Sequence, residues 1–335
     1  MPLEKPHPQH SQAIFCLAKA RRVSTEDNMT ILIRTFGPKT GTCNICGEYG
    51  TLTEDHTPPK GCHRPTQVEI QHLSYLLSGT SNPPKGRRSQ NGVKYRTLCH
   101  RCNNTLLGSR YDPPFIEFVN AVALHLRSPI TLPPTVTIPG KPQSIVRSLL
   151  GHISAQGVDR YLKGPLTEAV RDYFLDDSLP LPSGIRVFYW AYPHRVHVMF
   201  RDAAYTHLSS GQPFAFWLLK FFPIAFLVAW DEPVGLTYPI HDLERWRSAP
   251  INLVADLPLS LSNIPPLFWP EAPTEGSILI YGQEAIHAVT NDFKVPFPPF
   301  WQATWPATHG ASWDRAPAWL QAWARSCAGA PWRSA

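Results

Sequence analysis

Two stretches decide the fold: CNICGEYGTLTEDHTPPK at residues 43–60 and CHRCN at residues 99–103. Each contains one C-x-x-C pair, and the four cysteines are Cys43, Cys46, Cys99 and Cys102. Two such pairs can place four thiolates around one Zn²⁺ ion in a closed tetrahedral site, which is structural rather than catalytic. The spacing therefore predicts a structural zinc site. A redox C-x-x-C is the alternative, but two pairs in one chain fit zinc better.

Between the two pairs, the strand-like segment TLTEDH at residues 51–56 ends on Asp55 and His56. Neighbouring side chains on a strand point to opposite faces, so this carboxylate and imidazole can have separate roles at one phosphate group. Asn103 follows the second pair at the expected start of a helix. Carboxylate and amide oxygens are hard ligands that suit Mg²⁺. We therefore expect Asp55 and Asn103 to bind a divalent metal.

The order of these motifs resembles the HNH endonuclease family over about residues 40–112. The resemblance implies a ββα-metal fold in its treble-clef, zinc-containing variant. It further implies that His56 is the general base, and that Asp55 and Asn103 bind a catalytic Mg²⁺ or Mn²⁺. The implied activity is hydrolysis of phosphodiester bonds, in DNA more than in RNA, and some similar bacterial proteins act in phage defence or restriction. Tyr95 stands where the family usually has an Asn that braces the loop carrying the base.

The positive charge is concentrated next to these motifs. The chain carries 31 Lys and Arg against 25 Asp and Glu, a formal net charge of +6. Residues 57–110 alone hold nine Lys or Arg and one acid, Glu69, which favours a polyanionic partner. The predicted nucleic-acid contacts are Lys60, Arg64, Arg96 and Arg101. A solvated basic surface is the alternative.

Composition indicates a folded chain with a sizeable core. Of the 335 residues, 43% are hydrophobic and only 17% charged, which excludes a disordered tail protein. The 36 prolines favour a fold rich in loops or strands. The expected fold class is α+β: a small zinc-containing domain, then a larger α+β domain with antiparallel strands. The predicted boundaries are a disordered extension at 1–28, the HNH-like domain at 29–128, a Pro-rich linker at 129–143 and a regulatory or targeting domain at 144–335.

Local patterns predict further elements. Helices are expected at Tyr111–Leu126, Ser144–Leu150 and Leu166–Leu175. One hairpin is expected between Ile185–Tyr192 and Val196–Phe200, and a second between Ser277–Tyr281 and Ile286–Val289. The excess sequence between the cysteine pairs, Gln67–Asn91, is expected to be an inserted loop.

The sequence predicts neither a secretory signal nor a membrane span, so a cytoplasmic protein is expected. The first residues are polar. The apolar run Phe214–Trp230 contains Lys220 and Pro223, whereas a membrane helix needs about 20 apolar residues. We expect this run to be buried core, split by Pro223 into a short helix and a strand.

Two alternatives to a simple nuclease stay open from the sequence. The zinc-containing unit can be a catalytically silent module that binds nucleic acid. The region 144–335 can bind a regulatory ligand or a protein partner that switches the nuclease, although it contains no Gly-rich phosphate loop. The oligomeric state is not predicted.

Overall fold

A computed structural model describes residues 35–62, 67–77, 84–164, 166–207, 214–230, 240–272 and 277–289. All of these belong to one compact unit, residues 33–335. The predicted extension at 1–28 and the predicted contact Arg64 lie outside the described residues.

The first part of the fold contains five strands and three helical segments among the residues described. They are β1 (Thr40–Thr42), β2 (Tyr49–Thr57), β3 (Gln67–His72), α1 (Leu73–Leu77), β4 (Arg87–Gln90), β5 (Val93–Cys99), a π-helix (Arg101–Tyr111) and α2 (Asp112–Leu126). The later elements are β6 (Thr135–Gly140), α3 (Pro142–Ser154), α4 (Thr167–Leu175), β7 (Ile185–Ala191), β8 (His197–His207), β9 (Phe214–Phe221), β10 (Ile224–Trp230), β11 (His241–Asp242), β12 (Ala255–Ser260), β13 (Ser277–Ile280) and β14 (Ile286–Val289). The predicted mixed α+β class is confirmed, and the named strands pair antiparallel.

A small sheet carries the cysteine motifs. Its strand order is β1-β2-β5, and the π-helix and α2 follow β5 directly along the chain. The register of β2 with β5 places Glu54 opposite Arg96 and His56 opposite Lys94, after an irregularity at Thr53. β5 therefore pairs with β2 along the stretch that carries Asp55 and His56.

The large sheet has nine strands in the described part of the chain. Its order is β11-β7-β10-β9-β8-β14-β3-β4, with β13 also paired to β8. The insertion between the cysteine pairs is therefore not a loop, since β3 and β4 form one edge of this sheet. Both predicted hairpins are wrong: β10 and β9 separate β7 from β8, and β13 and β14 each pair with β8 rather than with each other.

The central strands of the large sheet are buried on both faces, which explains their continuous apolar sequences. Phe226 and Val228 point to the face covered by the helices, whereas Leu227 and Ala229 point to a second core on the opposite face. The predicted burial of Phe214–Trp230 is confirmed, but its first half is strand β9 rather than a helix. The described residues contain no helix that is both long and apolar enough to cross a membrane.

Buried Lys220 is hydrogen-bonded to the segment that follows β12. Its ammonium donates to the carbonyl oxygens of Leu267 and Trp269 and to the carboxylate of buried Glu271. A buried charge is tolerated when it is paired and hydrogen-bonded in this way. The lysine in the middle of the apolar run is therefore part of the core.

The predicted linker at 129–143 contains strand β6, which pairs along its whole length with β12. Next to it, α3 is buried in every residue and packs against α2, α4 and the π-helix. The predicted helices at 111–126, 144–150 and 166–175 are confirmed as α2, α3 and α4. The cysteine-containing sheet therefore shares one continuous core with the region predicted to be a second domain.

Candidate functional site

The four predicted cysteines form one cluster. Their sulfur atoms all lie within 4.8 Å of one another, and the Sγ atoms of Cys46 and Cys99 are 3.6 Å apart. Tetrahedral coordination with zinc–sulfur bonds of about 2.3 Å places ligands about 3.8 Å apart. Hydrogen bonds from Cys102 and then Cys46 lower the pKa of Cys43 well below its ordinary value, whereas hydrogen bonds to Cys43 and then Cys46 raise the pKa of Cys102. The cluster can hold a metal ion such as zinc.

A tight turn after β1 brings the first cysteine pair together. The backbone N–H of Gly47 donates to the carbonyl oxygen of Cys43 at 3.0 Å. Gly47 has a φ of +77°, a backbone angle that residues other than glycine rarely adopt. A Cβ atom on Gly47 would also lie 2.3 Å from the Tyr161 ring. The C-x-x-C-G sequence is therefore needed for this turn and for the close approach of Tyr161.

A Gly47→Ala substitution should lower the free energy of unfolding by about 1–2 kcal/mol, because it forces a positive φ on a residue with a Cβ. Gly50→Ala is the matched control, since nothing lies within 4 Å of a Cβ there and its φ is not positive. Urea unfolding measures both variants. Equal stability of the two would contradict the role assigned to Gly47.

Asn103 links the π-helix to strand β2. Its amide nitrogen donates to the hydroxyl of Thr53 at 2.9 Å and to the backbone carbonyl of Glu54 at 3.0 Å. The second bond reaches the peptide unit directly before Asp55. The strand that carries Asp55 and His56 is thus braced by Asn103, while Tyr95 is fully buried in the core.

Asp55 is held in a buried network that the sequence did not predict. Only 2% of the residue is exposed, and its Oδ2 accepts hydrogen bonds from Thr57 and from His152 Nδ1 at 2.9 Å. The other ring nitrogen of His152 lies 3.0 Å from Asp112 Oδ1, which also accepts a bond from Ser148. Burial alone would lower the pKa of His152, but the two carboxylates raise it to about 10. We therefore assign a protonated imidazolium between two carboxylates.

Asp55 and Asn103, the predicted metal ligands, each hydrogen-bond through one side-chain atom. Asp55 accepts its hydrogen bonds through Oδ2, and Asn103 donates its hydrogen bonds through the amide nitrogen. Across the described ranges, no side chain or backbone group hydrogen-bonds to Oδ1 of either residue. Each side chain is therefore fixed through one atom, and its Oδ1 accepts no hydrogen bond from the described residues.

His56 lies on the opposite face of β2 from Asp55 and is half-buried. Glu54, on that same face, pairs with Lys94 at 3.7 Å and with Arg96 at 3.0 Å. The hydrogen bond from Arg96 lowers the pKa of the Glu54 carboxyl, and nearby His56 adds to this effect. The face combines an imidazole, a carboxylate and two cations.

The predicted nucleic-acid contacts Lys60, Arg96 and Arg101 do not lie together on one face. Arg96 lies on the His56 face, half-buried and paired with Glu54. Lys60 is exposed just beyond β2, and Arg101 is exposed and lies 3.7 Å from Glu48. The structure therefore brings only Arg96, of the three that it describes, into direct contact with a residue of the His56 face.

Asn44 and Thr97 attach the cysteine-containing sheet to α3. The Asn44 amide donates to the carbonyl oxygens of Ser154 and Gly157, and Thr97 donates to that of Ala155. These contacts and His152 all come from the end of α3. The register of β2 and the position of α3 are therefore coupled.

The candidate site therefore has two parts. One is a four-cysteine cluster that can hold a metal, and the other consists of Asp55 and His56 on β2 with Asn103 on the π-helix. Searches of family models, curated proteins and solved structures found no match for this chain. Function must therefore be inferred from the geometry of these residues.

Proposed function

We propose that this protein is a metal-dependent HNH-type endonuclease that hydrolyses phosphodiester bonds in nucleic acid, with DNA preferred over RNA. The observation that carries the proposal is the 3.0 Å hydrogen bond from Asn103 to the Glu54 carbonyl. It brings the start of a helix to the strand end bearing Asp55 and His56. Two antiparallel strands flanked by the two cysteine pairs, with a helix after the second pair, are what the HNH resemblance leads one to expect.

The residues divide the chemistry between them. The four cysteines would hold zinc as a structural ion, and Asp55 and Asn103 would hold Mg²⁺ or Mn²⁺. When bound, this second ion would supply charge stabilisation at the scissile phosphate and the leaving oxygen. His56 accepts the proton of the attacking water. Glu54, on the same face, stabilises the imidazolium that this transfer forms.

His56→Ala should lower the rate of plasmid nicking in Mg²⁺ or Mn²⁺ by about 10²- to 10⁴-fold, because general-base catalysis contributes that much. DNA binding and thermal stability should change little, since His56 is only half-buried. His125→Ala is the control, because among the described residues the hydrogen bond of the His125 ring is to the Ala121 carbonyl oxygen of its own helix. Equal nicking by wild type and His56→Ala would overturn the nuclease assignment.

A second candidate is a catalytically silent zinc module that binds nucleic acid. It is favoured by the near-complete burial of Asp55 and by the engagement of its Oδ2 with His152. The same assay separates the two candidates. A silent module binds DNA but nicks it neither as wild type nor as His56→Ala, with any added divalent metal.

A further inference from the structure

An exposed aromatic ring lies among three cations on the small sheet. Phe36 is 40% exposed. The charged groups of Arg87, Arg96 and Lys94 lie 5.1, 5.5 and 6.0 Å from the centre of its ring. A cation within about 6 Å of an aromatic face is attracted to the ring. We refer to Phe36, Arg87, Lys94 and Arg96 as the Phe36 cluster.

The Phe36 cluster is built on a fixed backbone. The N–H of Arg96 donates to the carbonyl oxygen of Thr35 at 3.1 Å, and Phe36 forms a parallel bridge with Arg96. A Cβ on Gly37 would lie 2.4 Å from the Arg96 carbonyl oxygen, so the close approach of this segment to β5 requires glycine. Arg87 donates to the Thr35 hydroxyl. The ring and the cations are thus preorganised.

The charges of the Phe36 cluster are only partly neutralised. Glu54 pairs with both Lys94 and Arg96, and no carboxylate among the described residues pairs with Arg87. Three cations therefore share one acid on a half-exposed surface. Gathering like charges in this way is unfavourable by itself and favours an anionic partner.

The Phe36 cluster adjoins the candidate general base. Lys94 is the cross-strand partner of His56, and Arg96 is the partner of Glu54. Because residues two apart on a strand share a face, Lys94 and Arg96 lie on the His56 side of the sheet. A chain of nucleotides crossing this face would pass from His56 to Phe36.

We propose that Phe36 is a stacking platform for an unpaired nucleotide of the nucleic acid, and that Arg87, Lys94 and Arg96 bind the flanking phosphates. This inference rests on the proposed function, because it identifies the substrate region next to the cleaved bond. Every base offers a π-face to an aromatic ring, and cations beside that ring neutralise the backbone. The substrate class is therefore nucleic acid with a single-stranded or locally unpaired segment at the cut.

The test is fluorescence anisotropy with labelled oligo-dT of about 12 nucleotides, without added Mg²⁺ or Mn²⁺. Phe36→Ala should weaken binding by about 5- to 150-fold, the effect expected for one stacked base. Phe36→Trp should retain affinity, whereas Phe36→Leu should lose it despite its apolar side chain. Tyr49→Ala is the control, since Tyr49 is an aromatic residue of the same sheet and 77% exposed.

Salt dependence separates the ring from the cations. Arg87→Gln or Lys94→Gln should each reduce the slope of log affinity against log salt by about 0.7, the value for one phosphate contact on a single strand. Phe36→Ala should leave that slope unchanged. Unchanged affinity of Phe36→Ala, or equal competition by poly-glutamate of matched charge, would overturn the inference.

The outcomes also separate this inference from the proposed function. Loss of nicking in His56→Ala with normal oligo-dT binding by Phe36→Ala would refute the stacking platform and leave the nuclease intact. Weak binding by Phe36→Ala with no nicking by any form would refute the nuclease and leave the nucleic-acid-binding surface intact. Thermal melting of each variant excludes loss of fold as the cause.

Discussion

A Cys102→Ala variant should contain less than one zinc per chain and should unfold at a lower temperature than the wild type. Structural zinc in small fingers contributes about 10–16 kcal/mol of apparent binding free energy at neutral pH, and part of this is lost with one of four ligands. Cys102 lies in the first turn of the π-helix, directly before Asn103. Loss of the ion should therefore also release Asn103 from β2 and reduce nicking.

Metal analysis and thermal melting measure this effect. Cys62→Ala is the matched control, because Cys62 is also a buried cysteine but does not belong to the four-sulfur cluster. A strong chelator should lower the melting temperature of the wild type and of Cys62→Ala, and should change that of Cys102→Ala little. One zinc per chain in Cys102→Ala, or none in the wild type, would contradict the four-cysteine site.

The residues of the site were predictable because each belongs to a short local motif. A C-x-x-C-G turn brings two sulfurs together within five residues, and an Asp-His pair at a strand end needs no information from elsewhere. The four cysteines do form one cluster, and Asn103 does lie at the strand that carries Asp55 and His56. Short motifs predict the positions of these side chains because the residues that fix each position are close together in the sequence.

The surroundings of the site were not predictable, since they depend on contacts between distant segments. His152 lies 97 residues from Asp55, in a helix whose sequence shows only an apolar pattern. The segment Gln67–Asn91 contains a local pair of strands, β3 and β4, but this pair joins the large sheet through β14, which lies about two hundred residues further along the chain. The predicted hairpins are wrong because their strands, although close together in the sequence, pair with other strands of the sheet. Pairing partners of antiparallel strands are decided by the whole sheet.

His152→Ala should lower the free energy of unfolding by about 3–5 kcal/mol, the typical loss when one partner of a buried ion pair is removed. The variant leaves the carboxylates of Asp55 and Asp112 without the cation between them. It also leaves a cavity in the core, because the side chain of His152 is only 1% exposed. Urea unfolding should show the largest change of any single histidine substitution among the described residues.

Three comparisons assign this loss to the network rather than to volume alone. His152→Gln preserves much of the volume and one donor, and should recover part of the stability. His125→Ala removes an imidazole of α2 that, within the described ranges, hydrogen-bonds to its own helix, and should cost far less. In a double-mutant cycle, Asp55→Asn and His152→Gln should show a coupling energy of about 0.5–3 kcal/mol, as for residues in direct contact. Additive effects in that cycle would show that His152 does not orient Asp55. In that case, the Mg²⁺ concentration that gives half-maximal nicking should be the same for His152→Gln as for the wild type.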